Sequence, residues 1–264
     1  MISSLGNMNA FTYSTISSAG TGKLYVPVSQ NSLLYSHFSH VSGVAAKNDQ
    51  SGVSISKIRI LNSLIENLTN AKTASVEKEK ITHIFVTHGH SDHLGDAIII
   101  SKNTGAQLVT VFELALYCQQ RGANALPVGL GATLNFDFGK AIFLPAFHSS
   151  STPSGEYAGC ASSVLLNIAG YKIYHAGDTS LTQEFKMIKE VFEPDMALLP
   201  IGGTFTMDIE QASIASKWLG ARYIIPMHYN TFDAICTDVD KFKIMVDNEE
   251  QECIVMKPNE QIEL

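Results

Sequence analysis

The sequence predicts an α/β protein, and three features carry that reading. Its 264 residues, 45% of them hydrophobic, suffice for one large core. From Ile81 onward, strand-like and helix-like stretches alternate. Several of the strands end where isolated histidines and aspartates stand. We read residues 1–264 as a single domain with an N-terminal part, 1–80, of different texture from the rest.

Residues 1–56 carry only Lys23, Lys47 and Asp49 as charged side chains and are dense in serine. Within them Phe11–Ile16, Leu24–Val28 and Leu33–Phe38 show partial alternation of apolar and polar residues, and Gly20-Thr21-Gly22 separates the first two as a hairpin turn would. The stretch is too apolar and aromatic for a disordered tail. Ile58, Leu61, Leu64, Ile65 and Leu68 then fall on one helical face, which predicts an amphipathic helix packed on the core. The polar run Asn70–Lys80 predicts a linker or exposed loop.

A strand over 81–87 leads through a histidine loop into a helix near Asp92–Lys102, stopped around Gly105. Gln107–Val111 reads as a strand and Phe112–Arg121 as a helix with Gly122 at its stop. Strands follow at Thr133–Phe138, Ala141–Phe143, Ala161–Ile168 and Tyr171–His175. A helix over 182–193 stops before Pro194, and Met196–Ile201 is a buried strand ending in Gly202-Gly203. Asp208–Leu219 is a helix in which Asp208 and Gln211 can form a capping box. Arg222–Pro226 is a strand, Asp238–Val246 a helix and Cys253–Lys257 a closing strand. No internal repeat is apparent.

The formal charge of −7 argues against a protein that relies on a basic surface for nucleic acid. Cys118, Cys160, Cys236 and Cys253 are far apart and form no C-x-x-C pair, so reduced thiols in a cytoplasmic protein are the simplest account. The N-terminus shows no basic region followed by an apolar core, and the longest apolar runs, such as Ala97-Ile98-Ile99-Ile100, are far too short to span a bilayer. A cytoplasmic protein without membrane attachment is expected.

The chemistry is concentrated in Thr87-His88-Gly89-His90-Ser91-Asp92-His93, three histidines and a carboxylate directly after a strand. Neutral imidazole is the commonest ligand for zinc-like metals, with carboxylate oxygen its usual companion. His88 and His90 share a side of an extended loop, whereas Asp92 and His93 sit in the first turn of the next helix and can aim at a neighbouring point. One motif can therefore serve two adjacent ions. Downstream, His148 follows Ile142–Phe147, Asp178 follows Ile173–Gly177, and His228 follows Ile224–Met227. Taken singly, a histidine after a strand is more often a hydrogen-bonded or surface group, and an aspartate in a Gly-Asp-Thr turn is usually a turn residue. Together with the histidine loop they make seven donors.

These residues resemble the metallo-β-lactamase superfamily, whose H-x-H-x-D-H motif stands here as His88 to His93. The likeness extends through Thr87–Asp96, Pro145–Ser150, His175–Thr179, Leu198–Met207 and Ile225–Phe232, five motifs in order over 81–264. It is closest to the branch of uncharacterised metal-dependent hydrolases related to L-ascorbate-6-phosphate lactonase. The resemblance implies a four-layer αββα sandwich with its site along one edge between two sheets. It implies that His88, His90 and His148 hold one ion, that Asp92, His93 and His228 hold a second, and that Asp178 bridges them. Each ion keeps an open position, as a catalytic site requires. The departure lies in residues 1–80, which lack the family's opening Gly-His-Ser strand and the following strand that ends in Asp-Pro.

The expected reaction is hydrolysis of a small ester, lactone or phosphorylated metabolite by hydroxide shared between two divalent cations, with Asp92 and Asp178 in catalytic roles. Zinc suits five imidazoles and two carboxylates best, with manganese, iron or nickel as alternatives. A phosphodiesterase or nuclease, and a non-catalytic metal-binding regulator, are the rival readings. The partner expected is a small-molecule substrate, with no membrane or nucleic acid; a homo-oligomer is compatible. Asp96 is the candidate outer acceptor for a ligand imidazole. Tyr229 and Asn230 are candidates for polarising a substrate oxygen, with a structural role as the alternative. His83 and His175 read as packing or outer groups, and His37 and His40 as strand-face or loop histidines.

Overall fold

The computed structural model describes residues 81–256 and, ahead of them, five short strands: β1 (Thr15–Ile16), β2 (Leu24–Tyr25), β3 (Pro27–Val28), β4 (Ser32–Tyr35) and β5 (Leu61–Leu64). These four strand regions before residue 40 fall within the predicted stretches Phe11–Ile16 and Leu24–Val28 and overlap Leu33–Phe38. The predicted turn at 20–22 and the polar run 70–80 lie outside the described residues. The amphipathic helix through Ile58–Leu68 is corrected: Leu61–Leu64 is a strand antiparallel to β4, with Tyr35 opposite Leu61 and Ser32 opposite Leu64. Leucines three apart fit a helical face, but four residues are too few for periodicity to decide, and a neighbouring strand supplies the backbone partners.

Next come β6 (His83–Phe85), α1 (Ser91–Leu94), α2 (Ala97–Thr104), β7 (Gln107–Val111), α3 (Phe112–Gln120) and β8 (Ala125–Val128). The single helix expected over 92–102 is two, because Gly95 takes φ +43° and ψ −131°, a conformation that ends α1 and re-aims the chain. Parallel pairing of β6, β7 and β8 through α2 and α3 completes a sheet of order β2-β1-β6-β7-β8.

The second half supplies β9 (Thr133–Phe136), β10 (Gly139–Pro145), β11 (Ser162–Ile168), β12 (Tyr171–His175), α4 (Glu184–Phe192), β13 (Met196–Pro200), α5 (Ile209–Leu219), β14 (Tyr223–Met227), α6 (Val239–Val246) and β15 (Glu252–Cys253). They form a seven-stranded sheet in the order β15-β14-β13-β12-β11-β10-β9. Its first four strands in sequence are an antiparallel meander; β12 to β15 are parallel and joined by α4, α5 and α6. The β11–β12 turn is Ala169-Gly170 with both φ positive, the mirror-image turn that suits strand twist. Asp208 and Asp238 cap α5 and α6 by accepting the Gln211 and Lys241 backbone N–H groups at 2.8 and 2.9 Å.

Two clusters of buried side chains define the layers. Ile84, Val86 and Leu108 of the smaller sheet pack with Ile100, Leu114 and Cys118 of α2 and α3. Their strand neighbours Phe85 and Val109 face the other way and join Phe143 and Val164 of the larger sheet, with Phe85 and Phe143 ring centroids 6.2 Å apart. Phe185, Leu219 and Phe242 of α4, α5 and α6 cover that sheet's far side. The order is helices, sheet, sheet, helices, as the resemblance implies.

Strand directions then fix where the site lies. β10 is antiparallel to β11, and β11 to β12, so β10 and β12 run the same way as the parallel β13 and β14. The segments after β10, β12 and β14 therefore emerge at one edge of the larger sheet, and these are the segments that carry His148, Asp178 and His228.

Candidate metal centre

The structure brings the seven predicted residues together in two groups. The ligand atoms of His88, His90 and His148 lie within 4.8 Å of one another, as do those of Asp92, His93, Asp178 and His228. His88 Nε2 stands 3.0 Å from His90 Nδ1. Asp178 Oδ2 is 3.1 Å from His93 Nε2, 3.0 Å from His228 Nε2 and 3.6 Å from His148 Nε2, so one carboxylate oxygen adjoins both groups. Asp92 Oδ2 is 3.3 Å from His93 Nε2 and 3.8 Å from His228 Nε2.

The site has a floor and a mouth. The side chains of Asp178, His93 and His228 are 3, 2 and 1% exposed, against 23% for Asp92 and 14% for His148. Access is from the Asp92 and His148 side.

Burial and charge act on these groups in opposite senses. Burial lowers the His88 imidazole well below its usual value, and His93 reinforces it; His90 and His148 are lowered by the same partial burial. Burial also opposes charge on His93, yet the carboxylates of Asp178 and Asp92 outweigh it and raise that ring to about 10. Asp178, whose burial alone would raise it, is held well below the carboxylate range by His93 and His228. The donors fit divalent cations: three neutral imidazoles form one group, and two carboxylates flank the imidazoles of the other. Among the described residues, buried His93 Nε2 and Asp178 Oδ1 have no hydrogen-bond partner, although two carboxylate oxygens stand within 3.3 Å of that ring nitrogen. A divalent cation in place of the ring proton would take that nitrogen and the flanking carboxylate oxygens as its donors.

Short-range chemistry holds the loops in place. A side chain on Gly89 would meet Ala158 Cβ at 2.5 Å, so the histidine loop lies flat on the 150–158 segment, and its N–H donates to Ser150 Oγ at 3.1 Å. Thr179 Oγ1 accepts the Phe147 N–H at 3.0 Å, and Phe147 carbonyl accepts the Ser180 N–H at 3.2 Å; these bonds join the His148 and Asp178 loops. His228 itself takes φ +58°. A non-glycine residue in that region is held there by its surroundings; here Gly202 packs directly on the His228 carbonyl.

The remaining sequence expectations divide. Asp96 makes no hydrogen bond to a ligand imidazole among the described residues; instead Thr87 Oγ1 lies 3.1 Å from His88 Nδ1, a partner the sequence reading missed. Tyr229 packs against the main core, where burial, with Cys253 and Asp240 nearby, lifts its hydroxyl to about 12. Asn230 Oδ1 accepts the Thr237 N–H at 2.7 Å, a loop-closing bond of the kind that the structural alternative expects. His83 stacks edge-on with Phe136 and Phe138 at 4.7 and 5.2 Å, and His175 Nδ1 accepts the Gly177 N–H at 3.0 Å, both as structural groups. His37 and His40 lie outside the described residues.

Comparison with known proteins agrees with this geometry. A family model described as a beta-lactamase superfamily domain matches residues 61–229. A UPF0173 metal-dependent hydrolase of Staphylothermus marinus is 40% identical over 206 residues, 77% of this chain and 88% of that protein. Another from Heliobacterium modesticaldum is 43% identical over 190 residues, 69% of this chain and 80% of its own length. Among solved structures, Igni18, a metallo hydrolase from Ignicoccus hospitalis, matches 96% of this chain and 99% of its own with a TM-score of 0.68 and 28% identity. YhfI from Bacillus subtilis, a metallo-beta-lactamase fold protein, matches 72% of this chain and 81% of its own with a TM-score of 0.58; at 14% identity it speaks to fold alone.

Proposed function

The chain belongs to the beta-lactamase superfamily, among its metal-dependent hydrolases, and from that premise we propose that it hydrolyses a small ester, lactone or phosphorylated metabolite at a two-metal site. The observation that carries this reading is Asp178 Oδ2, which lies within 3.6 Å of a histidine nitrogen from each donor group. His88, His90 and His148 would hold one divalent ion, Asp92, His93 and His228 the other, and Asp178 both; zinc is the leading candidate by donor type. Divalent ions held there would supply Lewis acidity toward a substrate oxygen and would acidify water for the attack. Asp178, at the floor, fixes the negative charge against which His93 and His228 are aligned. Asp92, at the mouth, has the exposure needed to orient the attacking oxygen and to take up its proton.

A small substrate is favoured over a polyanion by the formal charge of −7. The pairing of β1 with β6, Thr15 opposite Ile84, supports reading residues 1–264 as one domain. Among the described residues no helix is long and apolar enough to cross a membrane. All four cysteines are free thiols, two of them exposed, and we assign the protein to a reducing compartment, the cytoplasm.

The test is metal quantification on natively purified protein, followed by turnover of a chromogenic aryl ester, a lactone, an aryl phosphomonoester and a bis-aryl phosphodiester. About two divalent ions per chain and cleavage of one of the first three substrates are expected. A chain without bound metal would sink the reading, and cleavage of the phosphodiester alone would move it to the nuclease class. Asp178→Ala should lower turnover at least a thousandfold, since it removes a donor that both groups share.

A further inference from the structure

Thr87 and Ser162 are buried polar residues beside the centre, and neither is one of the seven donors. The Thr87 carbonyl, at the exit of β6, accepts two hydrogen bonds from Ser162 at the start of β11: its N–H at 3.0 Å and its hydroxyl at 2.7 Å. Residue 162 also faces the turn before Asp178, where a side chain on Gly177 would meet the Ser162 carbonyl at 2.7 Å and Thr87 Cβ at 3.2 Å. One residue of the larger sheet thus fixes the backbone of the smaller sheet just where the histidine loop begins. The Thr87 hydroxyl oxygen, so fixed, is 3.1 Å from His88 Nδ1, and the opposite ring nitrogen, Nε2, is the one 3.0 Å from His90 Nδ1.

We propose that Thr87, anchored by Ser162, is a positioning residue that selects the tautomer of His88: it accepts a hydrogen bond from Nδ1–H and leaves the Nε2 lone pair toward His90 and His148. An imidazole presents a lone pair from one nitrogen only when the other carries the proton. With Nε2 turned to His90 as the ligand nitrogen, the proton falls to Nδ1, and the Thr87 hydroxyl, held at 3.1 Å, is the acceptor there for it. The inference rests on the two-metal reading for its effect on binding, though not for the tautomer itself.

The experiment compares wild type with Thr87→Val, which keeps the shape and removes the hydroxyl, with Thr87→Ser, which restores it, and with Ser162→Ala. Ring nitrogens of His88 are assigned by ¹⁵N-labelled imidazole spectra of metal-free protein, and cobalt(II) affinity is measured by optical titration against a chelator. In wild type and Thr87→Ser, Nδ1 should carry the proton. Thr87→Val should lose that preference and bind one of its two ions about 10–100-fold more weakly, the cost usual for an outer partner of a metal ligand, while the second ion is unaffected. Ser162→Ala should fall between.

Unchanged affinity in Thr87→Val, Thr87→Ser as weak as Thr87→Val, or a wild-type His88 protonated on Nε2 would each overturn the proposal. If Thr87→Val does not fold, Ser162→Ala decides it, since it releases the anchor of Thr87: a His88 tautomer and cobalt affinity equal to wild type there overturn the proposal. Fewer than two ions in wild type would instead refute the two-metal reading, and the tautomer measurement would stand apart from that result.

Discussion

Asp178 and Asp96 are both partly or fully withdrawn from water, and their contrast shows what a partner does. Asp178 has His93 and His228 within 3.1 Å, and its carboxyl is held low. Asp96, at the start of α2, has no such partner, and burial raises it to about 6. The sign follows from linkage. Below about pH 4 Asp96 is protonated in folded and unfolded chains alike and contributes nothing. As pH rises toward 6 the unfolded chain ionises first, so stability is lost over that window and the deficit persists above it. Asp96→Asn should therefore stabilise the protein at pH 8 by about 1 kcal/mol, allowing for solvent screening of a half-buried group, and should leave it unchanged at pH 4. Thermal melts at the two pH values check this, and an equal shift at both would refute it. Asp178→Asn should act oppositely on the centre: it leaves His93 with Asp92 as its nearer carboxylate and removes the shared charge, so bound metal should fall below one ion per chain in elemental analysis.

Between residues and molecule, the loops that follow strands set the site, and glycines let them approach. Gly202, after β13, lies against the His228 carbonyl and 2.8 Å, measured from a built Cβ, from Ile235. Gly202→Ala must displace the His228 backbone, already at φ +58°, and should cost roughly 1–3 kcal/mol. Its melting temperature should drop, with weakened metal binding by the Asp92–His93–His228 group; a melt and metal content equal to wild type would refute the clamp. Cysteines follow the same division, since Cys118 and Cys253 lie buried in α3 and β15 while Cys160 and Cys236 sit exposed in loops. Two of the four thiols should react with a disulfide reagent in native protein, the other two only after unfolding, because burial lifts both Cys118 and Cys253 to about 12. Legibility tracks this scale too. Gln107–Val111 and Tyr171–His175 are readable because β-branched and aromatic residues (Val109, Thr110 and Val111; Tyr171, Ile173 and Tyr174) follow closely on Gly105 and Gly170. Ala125–Val128 went unseen, since four residues with a proline carry no period, and the Gly95 break in Asp92–Lys102 was masked by the apolar run after it. All seven donors were visible as residue types at strand ends. The Thr87–Ser162 and Gly89–Ser150 bonds were not, because they join positions 75 and 61 apart whose proximity only the sheet order creates.

At the scale of the whole molecule the proposed centre would double as a fastener. His88, His90, Asp92 and His93 leave the smaller sheet through β6, while His148, Asp178 and His228 leave the larger one through β10, β12 and β14. Each donor group draws on both sheets: His148 joins His88 and His90, and Asp178 and His228 join Asp92 and His93. A cation in either group would therefore tie the two sheets together. Metal that binds the folded chain and not the unfolded one stabilises it by mass action, about 2.7 kcal/mol for each site at a free concentration a hundredfold above its dissociation constant. For a chain of this length that amounts to roughly 5–10 °C in melting temperature for one site. Chelator treatment should lower the melt by at least that much, and zinc should restore it in proportion to the ion taken up. His148→Ala and His228→Ala should each remove part of the effect, His148→Ala through the first group and His228→Ala through the second, and the double variant should remove nearly all of it. A melt that ignores chelation while metal analysis shows the ions gone would mean that the sheets hold without them, leaving the seven donors to chemistry alone.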